Sequence, residues 1–235
     1  MPEYYADAEG QRRFTRRIFD ASAVDYDRTD RVLAFGSGTW YRRQALLRHG
    51  LAARMRVLDV AMGTGLVARE ALRIVGARGS VVGIDPSAGM MAQANLPGLS
   101  RARGRAEALP FADASFDFLC LGYALRHLAD LAAAFGEFRR VLAPGGRLLL
   151  LEITRPAGRM AAALLRAYLR DVVPALTRLM ATSKDTPTLY RYYWDTIDAC
   201  VPPATILAAL KVAGFAGAGH VTQLGIFSEY SASAP

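Results

Sequence analysis

Lysine and cysteine are scarce in this sequence of 235 residues. Lys184 and Lys211 are the only lysines, so arginine carries almost all of the positive charge behind the formal net charge of +8. The two cysteines, Cys120 and Cys200, lie far apart in the chain, which excludes both a zinc-binding cysteine pattern and a disulfide framework. We therefore expect a protein of a reducing cytoplasm that binds no metal.

Long apolar runs are also absent. No stretch of 18 apolar residues is present to span a membrane, and the first ten residues lack the pattern of a secretory signal peptide. Basic blocks and aromatic RNA-binding motifs are missing too, so we expect no nucleic-acid partner. Hydrophobic residues, in contrast, are abundant and make up 52% of the chain. This length and composition fit one domain with a sizeable core.

The most informative stretch is residues 55–65, MRVLDVAMGTG. Its apolar, mostly β-branched residues 57–60 predict a buried parallel strand that carries Asp59. Gly63 and Gly65 then form a turn, and a helical pattern begins at Leu66. Strand, glycine turn and helix form the first βα unit of a doubly wound sheet, in which ligands bind at the carboxyl ends of the strands.

Two kinds of ligand compete for this turn. A dinucleotide site requires a third glycine where this chain has Ala68, and it does not call for an acidic residue inside the strand. The acidic strand followed by glycines instead resembles motif I of the class I S-adenosylmethionine methyltransferases. Asp85, 20 residues after Gly65, ends the second predicted strand, and this spacing suits a carboxylate that binds a ribose diol. The alternative for Asp85 is an N-cap of a helix over residues 87–95.

Further elements are predicted along the chain. Residues 1–24 are expected to be helical, with a basic face at Arg12 and Arg16 opposite Phe19. A turn is expected at 143–146, and a helical insertion with an arginine stripe at 157–180, in which Pro174 should bend or end a helix. Residues 188–197 form an aromatic cluster, and 219–231 are expected to form antiparallel sixth and seventh strands.

Four segments occur in the order and spacing of a known family: RVLDVAMGTG, GIDPSAGMM, AEALPFADASFDFLCLGYALRHLAD and RRVLAPGGRLLLLEITRP. Together they resemble class I S-adenosylmethionine methyltransferases. The resemblance implies an α/β fold with a Rossmann-like, seven-stranded doubly wound sheet, an N-terminal helical lid and a helical insertion after the fifth strand. It implies one domain made of a lid (1–50), a cofactor-binding core (51–155), a substrate cap (156–200) and a C-terminal helix with strands (201–235).

Within that class the chain is most similar to the ubiquinone and menaquinone biosynthesis C-methyltransferases. The features that carry this narrower match are Tyr26 with Phe35 before the core, Arg126 after the fourth strand, and the segment 190–202. The resemblance implies methyl transfer to a small aromatic acceptor, with C-methylation of a quinone precursor ring as the first expectation. Methylation of O, N or C in a soluble secondary metabolite is the alternative, and a non-catalytic protein that binds S-adenosylmethionine is the second alternative.

Several residues depart from the family pattern and weaken the substrate assignment. Leu66 follows the motif I glycines where Asp is usual, and Arg105 stands where an acidic residue is common. His127 replaces an Asn after the arginine, and Met62 replaces a smaller residue. We expect Met62 to lie near the methionine end of the cofactor.

The resemblance also implies the site residues. The cofactor S-adenosylmethionine, with S-adenosylhomocysteine as product, is expected to contact the following residues: Tyr26, Asp59, Ala61, Gly63, Gly65, Asp85, Pro86, Met90, Arg105, Ala106, Glu107, Gly122 and Tyr123. The substrate is expected to contact these: Phe35, Tyr123, Arg126, Tyr190 and Tyr192. Aromatic residues at such spacing fit a core equally well.

Arg126 and His127 are the predicted catalytic residues. An arginine is a poor base because its pKa exceeds about 12, so we assign Arg126 to stabilising a phenolate and His127 to accepting the proton. A structural role for His127 is the alternative. The expected partners are a small aromatic substrate, a second copy in a homodimer and, through the arginine stripe, the inner face of the cell membrane. The alternative for this stripe is the solvated basic face of a lid helix that packs on the sheet. The expected location is the cytoplasm.

Overall fold

The structure is a computed structural model that describes residues 4–33 and 36–235. Its centre is a seven-stranded sheet in the order β3-β2-β1-β4-β5-β7-β6, in which β7 alone runs antiparallel to both neighbours. The strands are β1 (Arg56–Val60), β2 (Ser80–Asp85), β3 (Leu99–Arg103), β4 (Phe116–Gly122), β5 (Leu142–Ile153), β6 (Ala216–Gln223) and β7 (Phe227–Ser233). The predicted Rossmann-like, seven-stranded α/β fold is confirmed.

Nine α-helices surround this sheet in the described part of the chain. They are α1 (Ala8–Leu33), α2 (Ser37–Arg48), α3 (Leu66–Val75), α4 (Ala88–Gln93), α5 (Leu131–Val141), α6 (Arg159–Ala167), α7 (Val173–Met180), α8 (Thr186–Asp198) and α9 (Pro203–Val212). The helix predicted over residues 1–24 is therefore longer, and it packs against α4 and α8.

Apolar cores lie on both faces of the sheet. Strands β1, β4 and β5 are buried on both faces, as their continuous apolar runs require. On one face, residues such as Leu58, Leu119 and Leu150 pack with α5 and α9. On the other face, residues such as Phe118 and Leu149 pack with α2 and α3. With both faces covered, the carboxyl ends of the strands are the place for a ligand site.

The helical insertion follows β5, as predicted, and remains helical through Pro174. A π-helical turn, Tyr168–Val172, joins α6 to α7, and Pro174 lies in the first turn of α7. A proline lacks the N–H donor and crowds the carbonyl four residues earlier. The wider turn before Pro174 accommodates both effects.

Two local predictions were wrong. The expected turn at 143–146 lies inside β5, because these residues bond to the C-terminal segment: the Gly145 N–H donates to the Ala234 carbonyl at 2.8 Å. The N-cap of α4 is Ser87, whose Oγ accepts from the Met90 N–H at 3.1 Å, and Asp85 is not an N-cap.

Candidate active site

A cavity of about 250 Å³ lies at the carboxyl ends of β1, β2 and β4, and α1 forms part of its wall. Eleven of the predicted cofactor-binding residues line it together: Tyr26, Ala61, Gly63, Asp85, Pro86, Met90, Arg105, Ala106, Glu107, Gly122 and Tyr123. Asp59 and Gly65 do not line it. The two βα turns and the loop after β3 thus converge on one space, as the strand order requires.

The glycine turn after β1 forms one wall of the cavity. Ala61 and Gly63 both adopt left-handed backbone conformations, with φ of 53° and 56°. This conformation is uncommon for a residue with a Cβ, and such residues are concentrated at ligand sites. The turn is fixed to β2, since the Gly63 N–H donates to Oδ2 of Asp85 at 2.8 Å.

Asp85 is a buried carboxylate on the cavity wall. Its Oδ1 accepts from the Ser87 N–H at 2.7 Å, and its Oδ2 accepts from the Gly63 N–H. Burial raises the pKa of Asp85 to about 6, while these two N–H donors lower it by less. Each oxygen retains a lone pair that can accept from a ligand hydroxyl.

Asp59 lies beneath the glycine turn, away from the cavity. Its Oδ1 accepts from the Cys120 thiol at 3.5 Å, and its Oδ2 has no hydrogen-bond partner in the part of the chain that the structure describes. Burial raises the pKa of Asp59 to about 7, which the Cys120 thiol and the Ala68 N–H counteract in part. Gly65 is the N-cap of α3, where an added Cβ would lie 2.8 Å from Leu96.

Met62 does not reach the cavity, contrary to the expectation that it lies beside the ligand. Its side chain is buried against β2, where a Cβ added to Gly83 would lie 2.1 Å from the Met62 sulfur. The larger side chain of Met62 therefore occupies the space that the missing side chain at position 83 leaves.

Helix α1 is anchored to both turns by carboxylates. Oδ1 of Asp20 accepts from the Ser87 hydroxyl at 2.6 Å and from the Gly89 N–H at 2.8 Å. Two turns further on, Asp27 accepts a short hydrogen bond from the Thr64 hydroxyl. These contacts hold one face of α1 against the mouth of the sheet.

Arg126 does not line the cavity. Its side chain is buried, forms an ion pair with Glu152 at the end of β5, and donates from Nε to the Thr196 hydroxyl at 3.1 Å. Nη1 also donates to the carbonyl of Tyr123 at 2.7 Å, and the guanidinium lies 4.5 Å from the ring centre of Tyr193. Arg126 thus joins the ends of β4 and β5 to α8.

His127 lines the cavity next to this cluster. Burial and the positive charge of Arg126 lower the pKa of His127 well below its usual value of 6.5, so the imidazole is neutral at pH 7. Its Nδ1 lies 3.3 Å from the Tyr192 hydroxyl, which lies 3.1 Å from the Thr15 hydroxyl. Its Nε2 is buried and has no partner among the described residues.

The aromatic cluster of α8 is divided between the cavity and the core. Tyr190 and Tyr192, the predicted substrate residues, do not line the cavity, and Tyr192 packs edge-on against Phe14. Their neighbour Tyr193 does line it, and its hydroxyl lies 2.5 Å from that of Tyr26. Phe35, the remaining predicted substrate residue, lies outside the described residues.

Comparisons with known proteins identify the family. The family model described as the ubiE/COQ5 methyltransferase family matches residues 6–228. The chain belongs to this family. A ubiquinone/menaquinone biosynthesis C-methyltransferase UbiE of Syntrophotalea carbinolica is 36% identical over 215 residues, which cover 88% of this methyltransferase and 87% of the relative. A demethylmenaquinone methyltransferase of Mycobacterium sp. strain KMS is 33% identical, with 84% of each chain covered.

Solved structures agree on the fold. A methyltransferase of Thermotoga maritima, described as S-adenosylmethionine-dependent and a possible histamine N-methyltransferase, superposes with a TM-score of 0.65 at 19% identity, covering 93% of this chain and 99% of that one. An S-adenosylmethionine-dependent methyltransferase of Aquifex aeolicus gives a TM-score of 0.61 at 18% identity, covering 83% and 89%. Family and relatives together make this chain an S-adenosylmethionine-dependent methyltransferase.

Helix α1 contributes residues that the sequence reasoning missed. Arg12, Thr15, Arg16 and Phe19 all line the cavity of the methyltransferase, so Phe19 shares a face with the arginines that were expected opposite it. These positions recur at intervals of three, four and seven residues, and Tyr26 follows Phe19 by seven. This helical spacing is the signal in the sequence that could have shown which side of α1 lines the cavity.

No helix in the described ranges 4–33 and 36–235 is long and apolar enough to cross a membrane.

Proposed function

We propose that this methyltransferase transfers a methyl group from S-adenosylmethionine to a ring carbon of a quinone precursor. Family membership and relatives with names that specify quinone methylation support the reaction. The observation that carries the proposal at the site is that one cavity is lined by Asp85, by the glycine turn, by aromatic side chains and by the neutral imidazole of His127.

The polar and apolar groups that line the cavity fit this cofactor. Asp85 provides a buried carboxylate that accepts from two vicinal hydroxyls, and the apolar side chains of Ile84, Met90 and Ala106 lie beside it for a flat purine ring. Gly63 leaves room at the turn, where the nearest atom to an added Cβ is the Met90 methyl at 3.6 Å. When bound, S-adenosylmethionine supplies an electrophilic methyl group, and S-adenosylhomocysteine is the product that leaves.

The acceptor occupies the part of the cavity between α1 and α8. Phe19, Tyr26 and Tyr193 provide aromatic surface there, and burial holds the pKa of both tyrosines above 10, so their rings remain uncharged. A quinol ring fits between such side chains with its hydroxyl group toward His127. A ring packed between these residues would exclude water, so that solvent does not compete with the acceptor for the methyl group.

His127 accepts the hydroxyl proton of the acceptor through Nε2. This role requires the tautomer in which Nδ1 carries the hydrogen and donates to the Tyr192 hydroxyl. The Tyr192 hydroxyl, which accepts from His127, can then donate its own hydrogen to the Thr15 hydroxyl. Loss of the hydroxyl proton makes the neighbouring ring carbon nucleophilic, and a positioned base contributes about 10²–10⁴-fold to the rate of such steps. The carbon that gains the methyl group then loses its hydrogen as a proton, and protonation of the oxygen restores the quinol.

We assign Arg126 the role of a positioning residue, which holds the groups of the cavity wall in place. It holds the Tyr123 carbonyl, whose residue has a left-handed φ of 61° at the cavity wall. Its guanidinium is paired with Glu152 and lies over the face of the Tyr193 ring. We therefore propose that Arg126 fixes the shape of the cavity wall and helps to keep His127 neutral.

The test is a direct assay with S-adenosylmethionine and reduced demethylmenaquinone or a ubiquinone precursor, with the product analysed by mass spectrometry. We expect a product heavier by one methyl group on carbon, and a His127→Gln variant that still binds S-adenosylmethionine in calorimetry but loses turnover. Methylation on oxygen, or no product from any prenylated quinol, contradicts the proposal.

A soluble acceptor with an acidic substituent is the second candidate, and the arginines of the wall favour it. Arg16 and Arg105 line the cavity, and neither has a carboxylate within 4.0 Å among the described residues. A quinone ring with an apolar tail does not use these charges, whereas a carboxylate does. Methylation of acidic aromatic compounds, weakened by Arg16→Gln through a higher KM, would support this candidate.

The parts assigned to the chain also remain proposals. The lid (1–50), the cofactor-binding core (51–155), the substrate cap (156–200) and the C-terminal part (201–235) are consistent with the cavity walls, to which the first three contribute. A homodimer is proposed from the sequence, and sedimentation velocity tests it.

A further inference from the structure

Helices α6 and α7 expose an unusual amount of apolar surface, which we call the α6–α7 face. It consists of Met160, Leu164, Val172, Leu176, Leu179 and Met180. Met160 is 78% exposed, Leu164 66% and Leu179 86%. Scattered apolar residues on a surface need no explanation, but five large ones on two consecutive helices, with Val172 in the turn that joins them, mark an interaction surface.

The same segment is strongly cationic. Between residues 159 and 184 the chain has four arginines, one lysine and a single carboxylate, Asp171. Arg159, Arg166, Arg178 and Lys184 are exposed and have no carboxylate within 4.0 Å in the described part of the chain. Charges that are not paired within the protein are available to an anionic partner.

Cavities beside the apolar residues also bring the cations together. At the end of α7, a cavity of about 380 Å³ is lined by Arg178, Lys184 and Arg191, with hydroxyl groups of Thr182 and Ser183 and without any carboxylate. Beside α6, a second cavity of about 650 Å³ is lined by four arginines that include Arg159 and Arg166, although aspartates share its wall. The first cavity has the composition of a site for a phosphate group.

Charge decides which partner fits. A second copy of this chain would bring the same cations face to face, which opposes association through the α6–α7 face. An anionic bilayer offers what both features require: phosphates at the level of the arginines and acyl chains for the leucines and methionines. Arginine can extend its apolar stem along such a surface and keep its charge among the headgroups.

We propose that the α6–α7 face docks this protein on an anionic lipid bilayer, with Leu164 and Leu179 inserted and the surrounding arginines on the lipid phosphates. The two helices lie in the plane of the interface and do not cross it. The proposal is independent of which acceptor the enzyme methylates, since it uses surface residues alone.

Vesicle flotation tests the proposal with the full chain. Vesicles of phosphatidylcholine alone are compared with vesicles that also contain phosphatidylglycerol, at about 0.1 M and about 0.5 M NaCl, between which the screening length falls by about half. We expect binding to the anionic vesicles at the lower salt concentration and a loss of most of it at the higher one. Equal binding to both vesicle types, or binding to neither, overturns the proposal.

Matched variants locate the surface. Leu164→Ser with Leu179→Ser should lower the partition coefficient at least tenfold, whereas Val212→Ser, which removes an equally exposed apolar residue (86%) from α9, should not change it. Arg166→Gln with Arg178→Gln should lower it as well, and Arg78→Gln, on another surface, should not.

Two readouts separate lost docking from misfolding. Circular dichroism and the affinity for S-adenosylmethionine in solution should be the same in all of these variants. If the Leu164 and Leu179 variant floats like the wild type, or if Val212→Ser weakens binding as much, the α6–α7 face is not the docking surface.

Discussion

Asp59 offers the sharpest test of how the site is built, because sequence and structure assign it different roles. The resemblance to known methyltransferases predicts that it contacts the cofactor. In the structure it lies beneath the turn, with one carboxylate oxygen unpaired among the described residues. A carboxylate whose burial outweighs its hydrogen bonds and the charge of Arg42 destabilises the folded state when it is ionised. Replacement by asparagine, which is similar in shape and cannot ionise, should therefore stabilise the protein at alkaline pH.

The size of the effect follows from the pKa. Folding raises the pKa of Asp59 from 3.8 to about 7, and at about 1.36 kcal/mol per pKa unit this corresponds to about 4 kcal/mol above pH 7. The native state retains its proton to higher pH than the unfolded state, so the wild type loses stability as the pH rises from about 4 to about 7. Between pH 5 and pH 8 the advantage of Asp59→Asn should grow by roughly 2–3 kcal/mol.

Urea unfolding at pH 5 and pH 8, followed by circular dichroism, measures this difference. Asp117→Asn is the control. The ion pair with Arg56 lowers the pKa of Asp117, so its contribution is constant above pH 5 and the variant should be destabilised equally at both pH values. A stability difference for Asp59→Asn that does not change with pH would refute the reasoning. A large loss of affinity for S-adenosylmethionine at unchanged stability would instead support the role predicted from the sequence.

Three further predictions concern the cavity and its support. Asp85→Asn should weaken S-adenosylmethionine binding about ten- to a hundredfold in calorimetry, and wild-type affinity should fall below about pH 6, where the carboxyl group becomes protonated, while the variant shows no such change. Tyr192→Phe should lower kcat without changing the affinity for the cofactor, because it removes the hydroxyl that orients His127; an unchanged kcat would exclude this role. Gly83→Ala should destabilise the fold by about 1–3 kcal/mol in urea unfolding, and addition of Met62→Ala should recover most of the loss, whereas additive losses would contradict the packing described above.

The sheet and the position of the cavity were predictable from local patterns. Strand 57–60 and its glycine turn follow from apolar runs and from residues that tolerate positive φ. The position of Asp85 follows from its place at the end of the next strand. These features depend on the order of the elements and on local backbone geometry. A few neighbouring residues determine each of them, so the sequence alone is enough to predict them.

The direction of individual side chains was not predictable in the same way. Asp59 lies in a strand that is buried on both faces, so alternation of polar and apolar residues does not show which face it occupies. On α8, Tyr190, Tyr192 and Tyr193 are all buried. The exposed residues Arg191 and Asp198 show the outer side of the helix, but the pattern does not show which buried ring reaches the cavity. The choice of Tyr193 for the cavity depends on how α8 packs against α1.

Arg126 is predicted from the sequence to contact the acceptor, and in the structure it lies beside the cavity and does not line it. Its charge is paired with Glu152, so the field it can exert on a phenolate in the cavity is reduced. The same charge lies next to His127 and is one of the two causes that keep this imidazole neutral. Burial is the larger of these two causes. Since only a neutral imidazole can accept a proton, we propose that Arg126 assists the reaction from outside the cavity by helping to keep His127 unprotonated.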